Sequence, residues 1–156
     1  MRWSGCVRSW KRATRMDDTL ERFVVAQAPH VETVKSELAA GRKRTHWMWF
    51  VFPQLRGLGR SQLAWHFGLQ SGAEARDYLA HPILGPRLRE CVALVLAVPD
   101  RSAHDILGSP DDLKLRSCLT LFREIDGAGG VFARALDRFF DGDPDPATLQ
   151  LLAAAR

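Results

Sequence analysis

The chain has 156 residues, 46% of them apolar and 26% charged, with a formal net charge of +4. That length and apolar share suffice for one hydrophobic core and argue against both intrinsic disorder and a multidomain chain. The longest unbroken apolar run, Val92 to Val98, is far shorter than the roughly 20 residues a bilayer-spanning helix needs, so no membrane partner is expected.

The positive charge is unevenly placed. Residues 1–15 hold five of the 22 basic residues (Arg2, Arg8, Lys11, Arg12 and Arg15) and none of the 18 acidic ones, so the chain from Met16 onward is net −1. Nucleic-acid affinity rests mainly on phosphate neutralisation, so none is expected of the body of the chain. Residues 1–15 lack an apolar signal region and read as a disordered or artefactual basic leader, with Met16-Asp17-Asp18-Thr19 as a plausible start and one domain over 16–156. The three cysteines, Cys6, Cys91 and Cys118, form no C-x-x-C pair, which points to a reducing, cytoplasmic setting without disulfides.

Helix signals then follow one another. Asp17 or Asp18 caps a helix that Pro29 ends, and Val31, Val34 and Leu38 repeat at helical spacing up to Gly41. After the basic connector Arg42-Lys43-Arg44, the apolar stretch from Trp47 to Phe52 reads as a buried helix ended by Pro53, with a Gly57/Gly59 loop beyond it. Ser61 caps a short helix, and Ser71 with Glu74 forms a capping-box pattern. Pro82 opens the next helix, which turns Leu84, Leu88, Cys91, Val92 and Val95 inward, and Ser102 caps a brief one ending at Gly108. Ser109-Pro110-Asp111-Asp112 begins a helix carrying Leu115, Cys118, Leu119, Phe122 and Ile125, Val131 to Phe140 is amphipathic, and Asp145-Pro146 starts a last helix. The expected fold is all-α, a compact single-domain bundle of roughly eight short helices.

No phosphate-binding loop, dinucleotide fingerprint, zinc-protease or serine-hydrolase motif is present, and no cofactor is implied. His30, His66 and His104 lack metal-ligand spacing, so no metal site is expected. Four sets of residues stand out of their surroundings. His46 at the mouth of an aromatic helix could act as general acid or base, with Trp47 and Trp49 either as a stacking wall or as core. Gln54 and Arg60 flank a glycine-bearing loop and supply donors for phosphate or carboxylate, or simply form a turn. Lys114, grouped with Ser117 and Thr120 and set between two leucines, either snorkels to water or, if desolvated, serves as the base for a Ser117 nucleophile. Tyr78 and His81 share a helix face and suit packing and helix capping at least as well as binding.

The blocks Gly41 to Gln54, Gly57 to Ser61, Glu74 to Leu88 and Asp112 to Phe122 resemble the signatures of bacterial domain-of-unknown-function family 1810. His46-Trp47-Met48-Trp49-Phe50-Val51-Phe52-Pro53-Gln54 is the most specific. The resemblance covers about Met16 to Leu152 and implies a compact helical domain without an assigned activity. The name calpastatin often attached to this family does not suit a sequence patterned to pack, because calpain-inhibitor repeats are disordered. The family pattern has serine where this chain has Cys118, which argues against a chemical role for that thiol. A looser similarity, in its aromatic helix and clustered polar residues, runs to the NADAR group linked to NAD and ADP-ribose metabolism.

Two functional readings follow. One is a small intracellular pocket protein or enzyme for a nucleotide-like molecule, with NAD- or ADP-ribose-linked N-glycosidic chemistry. In it Trp47 or Trp49 stacks on a base, Lys43, Arg60 or Lys114 holds phosphate, and His46 moves the proton. Its requirement is that the His46 and Lys114 blocks meet in space. The other is a non-catalytic module that binds protein or nucleic acid through Arg42-Lys43-Arg44, the leader and exposed aromatics. Whether the chain is an enzyme, and its oligomeric state, are left open by the sequence.

Overall fold

Residues 20–154 are described by the computed structural model. Ten helices run through them: α1 over residues 20–27, then α2 (Val31–Ala39), α3 (Met48–Val51), α4 (Gln62–His66), α5 (Gly72–Ala80), α6 (Leu84–Ala97), α7 (Ala103–Leu107), α8 (Asp111–Asp126), α9 (Val131–Phe140) and α10 (Pro146–Ala154). Among the described residues there is no strand, and one isolated parallel bridge joins Leu55 to Leu69. The all-α class is as expected. The helices number ten rather than about eight, and α3, α4 and α7 are short pieces of four or five residues. No helix of the described residues is long and apolar enough to cross a membrane.

Local chemistry sets most boundaries. Gly41, at φ +72°, follows α2 in the left-handed region that favours glycine. The Ser61 hydroxyl accepts the Ala64 amide at the start of α4, and Ser102 and Asp105 form a reciprocal capping box on α7. Three expected starts differ in detail. Ser71 does accept the Glu74 amide, but the Glu74 carboxylate takes the Gln70 amide and the Arg22 guanidinium instead of closing the box, because an ion pair is on offer there. Pro82 lies before α6 and not in its first turn. His81 ends α5 at its C-cap, as expected, and its Nδ1 also accepts the Ile83 and Leu84 amides ahead of α6. Pro110 sits one residue outside α8, at its N-cap. The expected caps at Asp17 and Asp18, the leader and Cys6 lie outside the described residues.

The core forms around α8, which packs against α5, α7, α9 and α10, while α6 joins α2, α5 and α9. Leu115, Cys118, Leu119 and Phe122 are buried, as are Leu84, Leu88, Cys91, Val92 and Val95 of α6. Each large apolar side chain so buried contributes roughly 1.5–3 kcal/mol. Burial also pushes the Cys91 thiol up to about 12 and the Cys118 thiol well above its ordinary value, so both are inert packing groups. One polar network crosses this interior. The Gln27 amide donates to the Phe50 carbonyl at 2.5 Å and to the Tyr78 hydroxyl at 3.1 Å, while its oxygen accepts from Arg87 at 3.0 Å. It ties α1 to α3, α5 and α6.

The tightest approach lies at Gly85, where a Cβ would stand 2.0 Å from the carbonyl oxygen of Leu79, whereas one at Gly129 would meet nothing within 4 Å. Gly85→Ala is therefore expected to lower unfolding free energy by about 3 kcal/mol through overpacking, with Gly129→Ala within about 0.5 kcal/mol of the parent. Urea unfolding of the two variants side by side checks this.

Candidate functional site

The site begins with a carboxylate in an unexpected place. Glu37 shares a helix face with Val34 and Leu38 and is itself only 8% exposed. Its Oε1 accepts the backbone amides of Arg44 (2.7 Å) and Thr45 (3.0 Å) and the indole Nε1–H of Trp47 (3.0 Å), and its Oε2 accepts the Thr45 hydroxyl (2.7 Å). Burial raises its pKa, but these donors outweigh that penalty and hold it at about 2. The carboxylate thus fixes the connector that follows α2.

That connector is pinned at each amide. Arg42 N–H donates to the Glu37 carbonyl, Lys43 N–H to Ile106 of α7, and Arg44 N–H to the Glu37 carboxylate. Lys43 is thereby aimed at the start of α8. Its Nζ lies 2.9 Å from Asp111 Oδ2, with the side chain only 7% exposed. Lys114, one turn further along α8, places its Nζ 3.8 Å from Asp111 Oδ1. Two ammonium groups from distant parts of the chain therefore share one carboxylate. Each also lies over an indole, Lys43 at 5.1 Å from the Trp47 ring centre and Lys114 at 5.4 Å from that of Trp49.

Beneath this surface, Met48, Trp49, Phe52, Gln54, Ala64, Phe67 and Lys114 line a cavity of about 10 Å³, room for about one water molecule. The arrangement can attract an anion to Lys114, whose contact with Asp111 is the looser of the two, and can offer Trp49 and Gln54 as a stacking surface and a hydrogen-bonding amide.

Lys43, Trp49, Gln54 and Lys114 are thus brought together, and Trp47 adjoins them as a fully buried core residue. The other candidates are placed differently. His46 is exposed and has no hydrogen-bond or ion-pair partner among the described residues, so no second group orients its imidazole. Arg60 is exposed on its loop. Tyr78 is fully buried on Gln27, and burial pushes its hydroxyl pKa far up. Ser117 donates to Asp145 Oδ2 at 2.9 Å, and Thr120 donates to the Arg116 carbonyl while accepting the Asp145 amide. Both hold the start of α10, where Asp145 also accepts from Thr148.

Sequence reasoning missed Glu37 as an anchor and treated Asp111 only as a helix-start residue. The signals were a carboxylate on the apolar face between Val34 and Leu38, and an acid three residues before Lys114.

A family model described as "Protein of unknown function (DUF1810)" matches residues 17–152. The conserved hypothetical protein Rv1873 from Mycobacterium tuberculosis, with a crystal structure at 1.38 Å, is similar in structure with a TM-score of 0.84 and 54% sequence identity. The match covers 86% of this chain and 96% of that one. No curated protein matches the chain.

The Glu37 network carries a pH dependence of stability. Its folded pKa lies below the ordinary 4.5, so its contribution is fully present above pH 4.5 and is lost as the pH falls to about 2. The amount at stake is about 3 kcal/mol. Glu37→Gln is expected to unfold at lower urea than the parent at pH 7, with the gap shrinking between pH 4.5 and 2. A gap of unchanged size across that range would refute the assignment.

Proposed function

The chain belongs to the DUF1810 family, and from its geometry we propose that the face formed by Lys43, Asp111, Lys114, Trp49 and Gln54 binds a nucleotide-like small molecule. The carrying observation is the convergence of two ammonium groups on one carboxylate beside an indole. A ligand phosphate draws Lys114 away from Asp111 and is held by both lysines, while a planar base lies against Trp49 and Gln54 supplies a hydrogen-bonding edge. The cavity beneath is water-sized, so the ligand lies across the face and does not enter the core. Chemistry of the NAD- or ADP-ribose-linked N-glycosidic kind is the reaction this reading carries forward. In that reaction the glycosidic C–N bond breaks, Asp111 stabilises the cationic sugar, water adds to its anomeric carbon and loses a proton to solvent, and the base leaves with a proton from His46.

A second reading, a non-catalytic module for a protein partner, is favoured by Leu63 and Trp65 of α4. They are 47% and 60% exposed, with Arg56 stacked 4.7 Å from the Trp65 ring centre.

Thermal unfolding with NAD, ADP-ribose and AMP separates the two. Ligand at a hundredfold excess over Kd stabilises by about 2.7 kcal/mol, a rise in Tm of about 5 °C or more. The rise is expected to vanish in Lys43→Met and Lys114→Met and to persist in Trp65→Ala, while His46→Ala keeps the shift and loses any release of free base seen by chromatography. Absence of a shift with all three compounds defeats the small-molecule reading.

A further inference from the structure

The basic tripeptide Arg42-Lys43-Arg44 is divided by the fold. Lys43 turns to Asp111, whereas Arg42 and Arg44 line a separate open groove of about 520 Å³ together with Glu32, Thr33, Ser36, Glu37 and Ala40. Both arginines are exposed, and neither forms an ion pair with a described residue.

We propose that this groove is a second binding site, independent of the Lys43–Lys114 face, for a phosphorylated small metabolite whose oxyanion is clasped by Arg42 and Arg44. Three features support it. The backbone that carries the arginines is tied down by hydrogen bonds from the amides of residues 42, 43 and 44, so less ordering is needed on binding. The last carbonyls of α2 do not compete for the guanidinium groups, because those of Ser36, Glu37 and Leu38 take the amides of Ala40, Arg42 and Gly41. The Glu37 carboxylate in the lining is occupied by four donors from Arg44, Thr45 and Trp47, which offset its charge toward a bound anion.

The groove also has a polarity. Glu32, in the first turn of α2, lies about 12 Å along the helix from the Ala40 end where the arginines stand. The hydroxyls of Thr33 and Ser36 fall between. A phosphate at the arginine end leaves the polar body of the molecule on these hydroxyls, and a hydroxyl or amine reaches Glu32. Guanidinium groups suit such an oxyanion because they donate in pairs.

The test is a titration of the isotope-labelled full chain with inorganic pyrophosphate, followed by NMR. Saturable shifts are expected at the amides of Thr33, Ser36 and residues 40–44 and at the side-chain N–H groups of Arg42 and Arg44. The Arg42→Ala/Arg44→Ala double variant is expected to raise the Kd at least about tenfold, and Lys114→Met to leave it within about twofold. Because both arginines are exposed, the spectrum of the double variant elsewhere should match the parent and so reports an intact fold. Shifts confined to residues 1–19 or to the surroundings of Lys114, an unchanged Kd in the double variant, or no saturable shift would each overturn the proposal. Nucleotide binding at the lysine face is decided separately, by the thermal data on Lys43→Met and Lys114→Met.

Discussion

The Glu37 carboxylate is the interaction on which the surrounding architecture turns. An ionised group inside an apolar face is unfavourable unless it is fully hydrogen-bonded, and here the donors are two backbone amides, one hydroxyl and one indole from residues 44–47. Satisfying the charge therefore dictates the path of the chain after α2. Arg44, Thr45 and Trp47 must close around it, and that closure determines where Lys43 can reach. The same bond that fixes Trp47 in the core carries the following turn, α3, into position beneath Lys114. A local electrostatic requirement on α2 thus reaches α8 through the connector, by Lys43 on Asp111 and by Trp49 under Lys114.

The polar groups of this domain divide into two kinds. Gln27, Tyr78, Ser117, Thr120 and Asp145 have their bonding directed inward and make the helices fit one another. Asp111, with its two lysines, sits where the chain meets water and retains an uneven charge count. Structural hydrogen bonding of the first kind is complete: among the described residues, no buried side-chain nitrogen or oxygen lacks a partner. Reactivity is therefore to be sought at the second kind.

Much of this was readable in the sequence, for identifiable reasons. Helical spacing made the inward residues of α6 and α8 plain, since a buried face repeats at a fixed interval. Lys114 stands out because it lies between two leucines, and Lys43 because it belongs to the basic connector ahead of an aromatic block. Ser117 and Thr120 were singled out for their closeness to Lys114 along the chain, but their hydroxyls are directed to Asp145, a partner that only the return of α10 supplies. Glu37 was overlooked for a related reason. A glutamate in a helix ordinarily faces water, and its role appears only once the chain beyond Gly41 doubles back. His46 shows the reverse case, a residue conspicuous by its neighbours that is itself exposed and without a hydrogen-bond partner among the described residues.

The bridge between Leu55 and Leu69 brings the two ends of residues 56–68 side by side, with the Arg56 amide on the Leu69 carbonyl and the Leu69 amide on that of Gln54. Phe67 anchors the returning end against Phe23 and Phe50. The segment between is a loop closed at its base that carries α4, with Arg22 of α1 bonded to the carbonyls of His66 and Gly68 at its returning end. Lengthening its tip costs little, since each doubling of a loop adds only about 0.6 kcal/mol of closure entropy. An insertion there would reshape the rim near Trp49 and Lys114, whose cavity Ala64 and Phe67 help to line, and would leave the helical scaffold as it is.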